Sequence, residues 1–254
     1  MNALKEVRMR RWQLLAWLTV LAVAIVALGA ADEQAAAHRI KAVLWVGGSA
    51  HDYDAFAAII TDFLPKQIPV DLEVVRDGSF LDSPAAKDLD VIVMNHCFES
   101  VEGVLSDRQQ QELLSLVRGG VGVVAIHASY YSFVGWDAVR EFYGARFTQH
   151  GSSDVYVVVR MVDRSHPITR DLPATFRVRT ELYESTPLAK DCHVLAQAHE
   201  EGTDQEHPSV WTRGYGKGRV VTILPGHWPD AYKVPEFQKL IANSTLWAAR
   251  ADRP

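Results

Sequence analysis

Apolar residues recur along the chain in two rhythms. Ala42-Val43-Leu44-Trp45-Val46 is an unbroken apolar run that stops at Gly47-Gly48, as a strand buried on both faces does where it enters a turn. Phe56, Ile59, Ile60 and Phe63 follow at helical spacing and predict a helix over residues 53–64, ending before Pro65. The strand pattern returns at 72–75 and again at 91–94. Ser106 and Gln109 stand in the S-x-x-Q spacing of a capping box, which opens a helix running to Arg118 and stopping at Gly119-Gly120. Residues 121–126 form a fourth strand, apolar apart from Gly122.

Strands that are apolar on both faces, separated by amphipathic helices, predict a parallel sheet covered on both sides. The fold class is therefore α/β: a flavodoxin-like, doubly wound, mostly parallel sheet. The second half reads differently. Strand-like runs at 155–162, 176–179, 194–198, 210–213 and 219–224 follow one another with little helix between them. They predict an antiparallel extension of the sheet, closed by a helix over 235–250. No repeat or low-complexity linker interrupts residues 38–254, which read as one domain.

The N-terminus has its own pattern. Lys5, Arg8, Arg10 and Arg11 precede an apolar stretch from Leu14 to Leu28 broken only by Thr19, and Gly29-Ala30-Ala31 and Ala35-Ala36-Ala37 follow. A basic region, a short apolar region and a small-x-small exit describe a secretory signal peptide over residues 1–31, with cleavage after Ala31 or Ala37. The alternative is an uncleaved anchor, since residues 12–31 reach the length of a membrane span. Both place the folded part outside the cytoplasm, with a periplasmic location expected; membrane association follows only from the anchor.

Composition adds two exclusions. The 254 residues carry a formal charge of −5, and the basic leader leaves the remaining chain more acidic still. An acidic body is a poor binder of polyanions, so no nucleic-acid partner is expected. Cys97 and Cys192 are the two cysteines, too few for a disulfide scaffold, and two unpaired thiols are expected.

The chemistry concentrates where the strands end. In an open α/β sheet, ligands bind beyond the carboxyl ends of the strands. The first strand is followed by His51-Asp52, the third by Asn95-His96-Cys97, the fourth by His127-Ala128-Ser129, and the last by Gly226-His227-Trp228. Four of the ten histidines thus fall just past four strands, and parallel strands deliver such residues to one crevice. Imidazoles gathered there act as acid/base groups, hydrogen-bond polyols or bind a metal. His51, His96, His127 and His227, with Asp52, Glu99 or Glu181, offer enough nitrogen and oxygen ligands for a divalent ion, although no H-x-x-x-H or H-E-x-x-H spacing fixes a geometry.

Other motifs mainly exclude. Gly47-Gly48 lacks any G-x-G-x-x-G or P-loop continuation, so no nucleotide cofactor is expected. Ser129 lacks the G-x-S-x-G frame of a nucleophile elbow, and Cys97 ends a different strand from His127, which speaks against nucleophilic acyl transfer. His166-Pro167-Ile168-Thr169 reads as a fixed turn, because proline holds its predecessor extended. Glu181 and Tyr183 alternate around Leu182, which sets an acid and a phenol on one face of a strand, a pairing suited to hydroxyl recognition or proton transfer.

Taken in order, Gly47-Gly48 with His51-Asp52, Gly119-Gly120-Val121-Gly122 with His127-Ala128, His166-Pro167-Ile168-Thr169, Glu181-Leu182-Tyr183, Gly216-Lys217-Gly218-Arg219-Val220 and Gly226-His227 resemble the ThuA-like family, named for trehalose utilisation. The resemblance spans about residues 41–249. It implies a class I glutamine amidotransferase-like fold with a histidine in place of the nucleophilic cysteine, and hence not a glutamine amidotransferase. It also implies a role in carbohydrate metabolism. The expectation is an exported protein acting on a sugar or keto-glycoside by acid/base chemistry, as a hydrolase, lyase or isomerase. His127 and Glu181 are the expected proton carriers, and His51, Asp52, His96, Tyr183, His227 and Trp228 are expected to contact a small-molecule carbohydrate. The alternative is a non-catalytic sugar-binding module on the same fold.

Overall fold

The computed structural model describes residues 39–252, and the predicted leader lies outside the described residues. The first half alternates as expected: β1 (Ile40–Gly48), α1 (Tyr53–Gln67), β2 (Val70–Val75), β3 (Val91–Cys97), α2 (Asp107–Gly119) and β4 (Gly122–Ile126). A 3-10 turn at His127–Ser129 and a short α3 (Asp137–Arg140) lead into the second half. This holds β5 (Phe147–His150), β6 (Val155–Met161), β7 (Thr175–Thr180), β8 (Tyr183–Ser185), β9 (His193–Glu200), β10 (His207–Tyr215), β11 (Gly218–Ile223) and α4 (Pro235–Ala248).

Nine strands form one sheet in the order β2-β1-β3-β4-β11-β10-β9-β6-β7. The first five in that order are parallel, and β10, β9, β6 and β7 continue antiparallel. The fold is flavodoxin-like α/β with an antiparallel extension. One strand departs from the expected grouping. β11 lies parallel to β4, in register from Val220 opposite Val123 to Ile223 opposite Ile126, while pairing antiparallel with β10. It therefore joins the two halves of the sheet and delivers the segment after Ile223 to the same edge as β4. β5 and β8 form a separate two-stranded sheet that the hydrophobic pattern does not predict; its strands are short and half-exposed, so they carry no apolar run.

Side chains alternate along each strand into two cores. Leu44, Val46, Val93, Val124 and Ile126 meet Phe56, Ile60 and Leu64 of α1 and Phe237, Leu240 and Ile241 of α4. Trp45, Ile92, Met94, Val123 and Ala125 meet Leu113 and Val117 of α2 on the other side. The predicted capping box is present: the Ser106 hydroxyl accepts from the Gln109 backbone N–H, and the Gln109 side chain accepts from the Ser106 N–H. α1 runs through Pro65 to Gln67, one turn past its expected end, with the Ile68 N–H still bonded to the Leu64 carbonyl at 3.0 Å. Strand order reverses between β1 and β3, the switch point at which such sheets open a crevice.

Candidate functional site

The crevice is built from backbone constraints first. Gly48, at φ +97°, passes so close to β3 that a Cβ would stand 2.0 Å from the Cys97 carbonyl oxygen, so the turn after β1 can hug the sheet only with glycine there. Beyond it, Asp52 caps α1 by accepting from the Ala55 N–H at 3.0 Å. His51 is held from outside. Tyr53 donates its hydroxyl proton to the Ser49 carbonyl at 3.0 Å and so receives one from His51 Nδ1, also at 3.0 Å. The Nε2 lone pair of His51 is thereby turned inward, 3.2 Å from His227 Nδ1.

His127 directly follows β4 with φ +50°, a left-handed conformation that costs a non-glycine residue roughly 1–3 kcal/mol. A strained turn between strand and helix is also how α/β-hydrolases present their nucleophile. Here the side chain is only 1% exposed, and its Nδ1 lies 2.8 Å from the Leu224 carbonyl. A carbonyl only accepts, so the proton sits on Nδ1 and the lone pair on Nε2. Burial lowers the pKa of both rings, to about 4 for His51, where His127 and His227 add to the effect.

Glu181, between β7 and β8, completes the cluster. Its carboxyl is 6% exposed, with Oε2 at 3.4 Å from His127 Nε2 and 3.2 Å from His227 Nδ1. Burial alone pushes this carboxyl up, but the flanking His127 and His227 outweigh it and hold it well below the usual carboxylate range. Thr180 positions the partner segment: its hydroxyl oxygen accepts from the backbone N–H groups of Gly226 and His227 at 3.0 and 3.1 Å.

Above the cluster lies a cavity of about 260 Å³ lined by His51, Cys97, Tyr131, His150, Glu181 and Tyr183, among others. A second, of about 620 Å³, is bordered by Asp52, Trp228 and Pro229, and the two adjoin at Ala50, His51 and His227. The Tyr183 ring packs 4.5 Å from His127. Burial, then the Glu181 charge, pushes its hydroxyl pKa up, so it stays a donor. Trp228 packs on His227 at 4.5 Å and donates its indole N–H to the Ser153 carbonyl; Arg179 covers its ring at 5.0 Å.

His96 does not join this cluster, contrary to the sequence expectation. It precedes Cys97 by one residue on β3, and the two-residue period of a strand sends it to the opposite face. There its ring packs against Trp45, Phe98 and Phe133, with Nδ1 3.0 Å from the Ser132 hydroxyl. Burial lowers its pKa to about 3. It is a core histidine. His127 also departs from its expected role, because neither ring nitrogen opens to the cavity. Its place is behind Glu181.

His150 is absent from the sequence reading, and Cys97 figures there only as a nucleophile weighed and set aside. His150, on β5, is 42% exposed and stands beside Glu181, Nδ1 to Oε1 3.5 Å. Its Nδ1–H is spent on the Gly151 carbonyl at 2.8 Å, leaving Nε2 as a base. Nothing in Phe147-Thr148-Gln149-His150 has the apolar run that marked the other strand ends. Cys97 lines the same cavity although it ends a different strand from His127. Burial and the nearby Glu99 push its thiol pKa up, which keeps it a poor nucleophile. Both cysteines are unpaired.

An α/β sheet with imidazoles and a carboxylate converging at the carboxyl edge of its parallel strands defines a flavodoxin-like scaffold with a polar crevice. The chain belongs to the ThuA family, described as trehalose utilisation, whose model matches residues 41–248. Among solved structures it is similar to a ThuA-like protein from Parabacteroides merdae, at 20% identity and a TM-score of 0.70 over 84% of this chain and 91% of that one. A ThuA-like protein from Bacteroides uniformis gives 21% identity and 0.68, over 83% and 91%. A cytoplasmic protein from Salmonella typhimurium gives 15% and 0.60, over 82% and 99%. At these identities the likeness is one of fold. No curated protein matches the chain.

Proposed function

We propose that this protein binds and processes a carbohydrate in the crevice over Glu181. The observation that carries the reading is the convergence of His51, His150, Glu181, Tyr183 and His227 from separate segments on one cavity, in a family associated with trehalose utilisation. The substrate class is a disaccharide or keto-glycoside. Two cavities that meet at His51 and His227 suit two linked rings, and their polar groups are few and directional, as a ligand site requires.

Glu181 Oε1 accepts a sugar hydroxyl, and Tyr183 donates to one. His150, with Nε2 free and its ring stacked on Tyr183, is the proton carrier on the cavity side. His127 is a positioning residue buried behind Glu181, its ring fixed by the Nδ1–H on the Leu224 carbonyl. Trp228 offers a face beside the second ring. Export to the periplasm is part of the proposal, supported by the basic and apolar pattern of residues 1–31; mass spectrometry finding Met1 retained on the exported protein would count against cleavage.

The test is turnover across a panel of disaccharides and keto-sugars. His150→Ala and Glu181→Gln are expected to lower kcat by about a hundredfold or more, the usual worth of a positioned acid/base group. His127→Ala should also move the pH profile, as loss of a purely structural residue would not. Turnover unaffected by both cavity-side changes would remove the catalytic assignment. Affinity without turnover would make the domain a sugar-binding module.

A further inference from the structure

Counting protons at the centre of the cluster leads further than the outline of the cavity. His127 Nδ1 faces a carbonyl, so Nε2 is a lone pair, and it is buried with no hydrogen-bond partner. His51 Nδ1 faces a hydroxyl already donating elsewhere and, at 3.4 Å, the Ser49 carbonyl, so its Nε2 is a lone pair too. Glu181 Oε2 is an acceptor. His227 Nδ1 stands 3.2 Å from both His51 Nε2 and Glu181 Oε2 and can supply one proton at most. Four acceptor atoms therefore crowd one point with a single proton among them. Such a cluster needs positive charge at its centre, and burial opposes supplying it as an imidazolium.

We propose that His51, His127 and His227 hold one divalent transition-metal ion, with zinc the best fit, and that the Glu181 carboxylate flanks it. The three histidines each offer a ligand nitrogen within 4.8 Å of the others; His51 Nε2 and His227 Nδ1 are 3.2 Å apart, and Glu181 Oε2 flanks His227 and His127 at 3.2 and 3.4 Å. Zinc bonds of about 2.0–2.1 Å in a tetrahedron imply ligand separations of about 3.3 Å. Three neutral imidazoles with one position left open are a donor set this metal takes.

The outer contacts agree. Metal-bound histidines hand their second N–H to a carbonyl, carboxylate or similar acceptor, as His127 does to Leu224 and His51 to Tyr53. Glu181 Oε1 and the cavity beside it remain open to a ligand. In its chemical consequence the inference rests on the carbohydrate reading of the same crevice: an ion there would polarise a sugar hydroxyl or carbonyl, while proton transfer stays with His150.

The experiment is metal content and uptake on the full chain. After chelator treatment, Zn²⁺ titrated by calorimetry is expected to bind at one equivalent and raise the Tm, and Co²⁺ to give the intense visible absorption of a four- or five-coordinate site. His51→Ala and Glu181→Gln should each weaken binding by more than about tenfold, and Tyr53→Phe by about tenfold through the orientation of His51. His193→Ala, at a half-exposed histidine paired with Asp163, should keep one equivalent. Folding of each variant is checked by circular dichroism, and His51, on a loop, serves if the buried changes unfold the chain. Absence of uptake, or uptake indifferent to His51 and Glu181, overturns the metal site. Sugar affinity that survives without metal uptake overturns the metal alone; one equivalent of metal with no affinity for any sugar supports the metal and overturns the carbohydrate reading.

Discussion

His96 and His127 each follow an apolar run at the end of a strand, yet one belongs to the core and the other to the site. What separates them is phase. His96 lies within β3 and alternates onto the face of Trp45 and Phe133. His127 lies one step past β4, where a positive φ breaks the alternation. Their stability effects follow from burial. The folded value near 3 for His96 lies below the ordinary 6.5, so the unfolded chain binds the extra proton. That contribution is complete above about pH 6.5 and declines as pH falls toward 3, by at most about 1.4 kcal/mol per pH unit. His51, near 4 when folded, adds a loss over the upper part of the same window. His96→Phe, which keeps a ring and removes the titration, should lose less stability than the parent between about pH 7 and about pH 5 in urea unfolding. Equal losses in the two proteins would assign the acid sensitivity elsewhere. The sequence shows the strand-end histidines. It does not show which face each takes, because that depends on which residue ends the strand.

At the scale of elements, the parallel strands and their helices are legible because each is apolar on both faces or at helical spacing, and the Ser106–Gln109 capping box marks its helix start to the residue. β5 and β8 are not legible, being three or four residues long and half in solvent, and His150 is lost with them. The placement of β11 was equally hidden. Its composition is compatible with either neighbour, and only long-range pairing makes it parallel to β4. That pairing brings Gly226 and His227 over the end of β7, where Thr180 receives both backbone N–H groups. Gly226, at φ +135°, has no room for a Cβ, which would stand 2.7 Å from the Tyr232 hydroxyl oxygen. Thr180→Val keeps the shape of a fully buried side chain and leaves two N–H groups without their acceptor. It is expected to cost about 1–3 kcal/mol in denaturant unfolding and to weaken ligand binding through a displaced His227. A variant as stable as the parent, with unchanged binding, would show that this link does not hold the loop.

For the whole molecule, the sheet is the device that assembles the crevice. Segments separated by up to 176 positions in the chain meet because β1, β3, β4 and β11 run in one direction and end at one edge. The antiparallel strands then bring Glu181 across from the other side. The sequence order of the histidines implied the edge, and the short turn after β7 supplied the carboxylate that gives the edge its charge. The most direct test is a crystal structure of the protein soaked with a disaccharide that calorimetry shows to bind. Sugar density against Glu181 Oε1, His150 and Tyr183, reaching toward Trp228, is the result expected. Density for a tightly bound sugar elsewhere on the surface, with this crevice filled by solvent, would contradict the account.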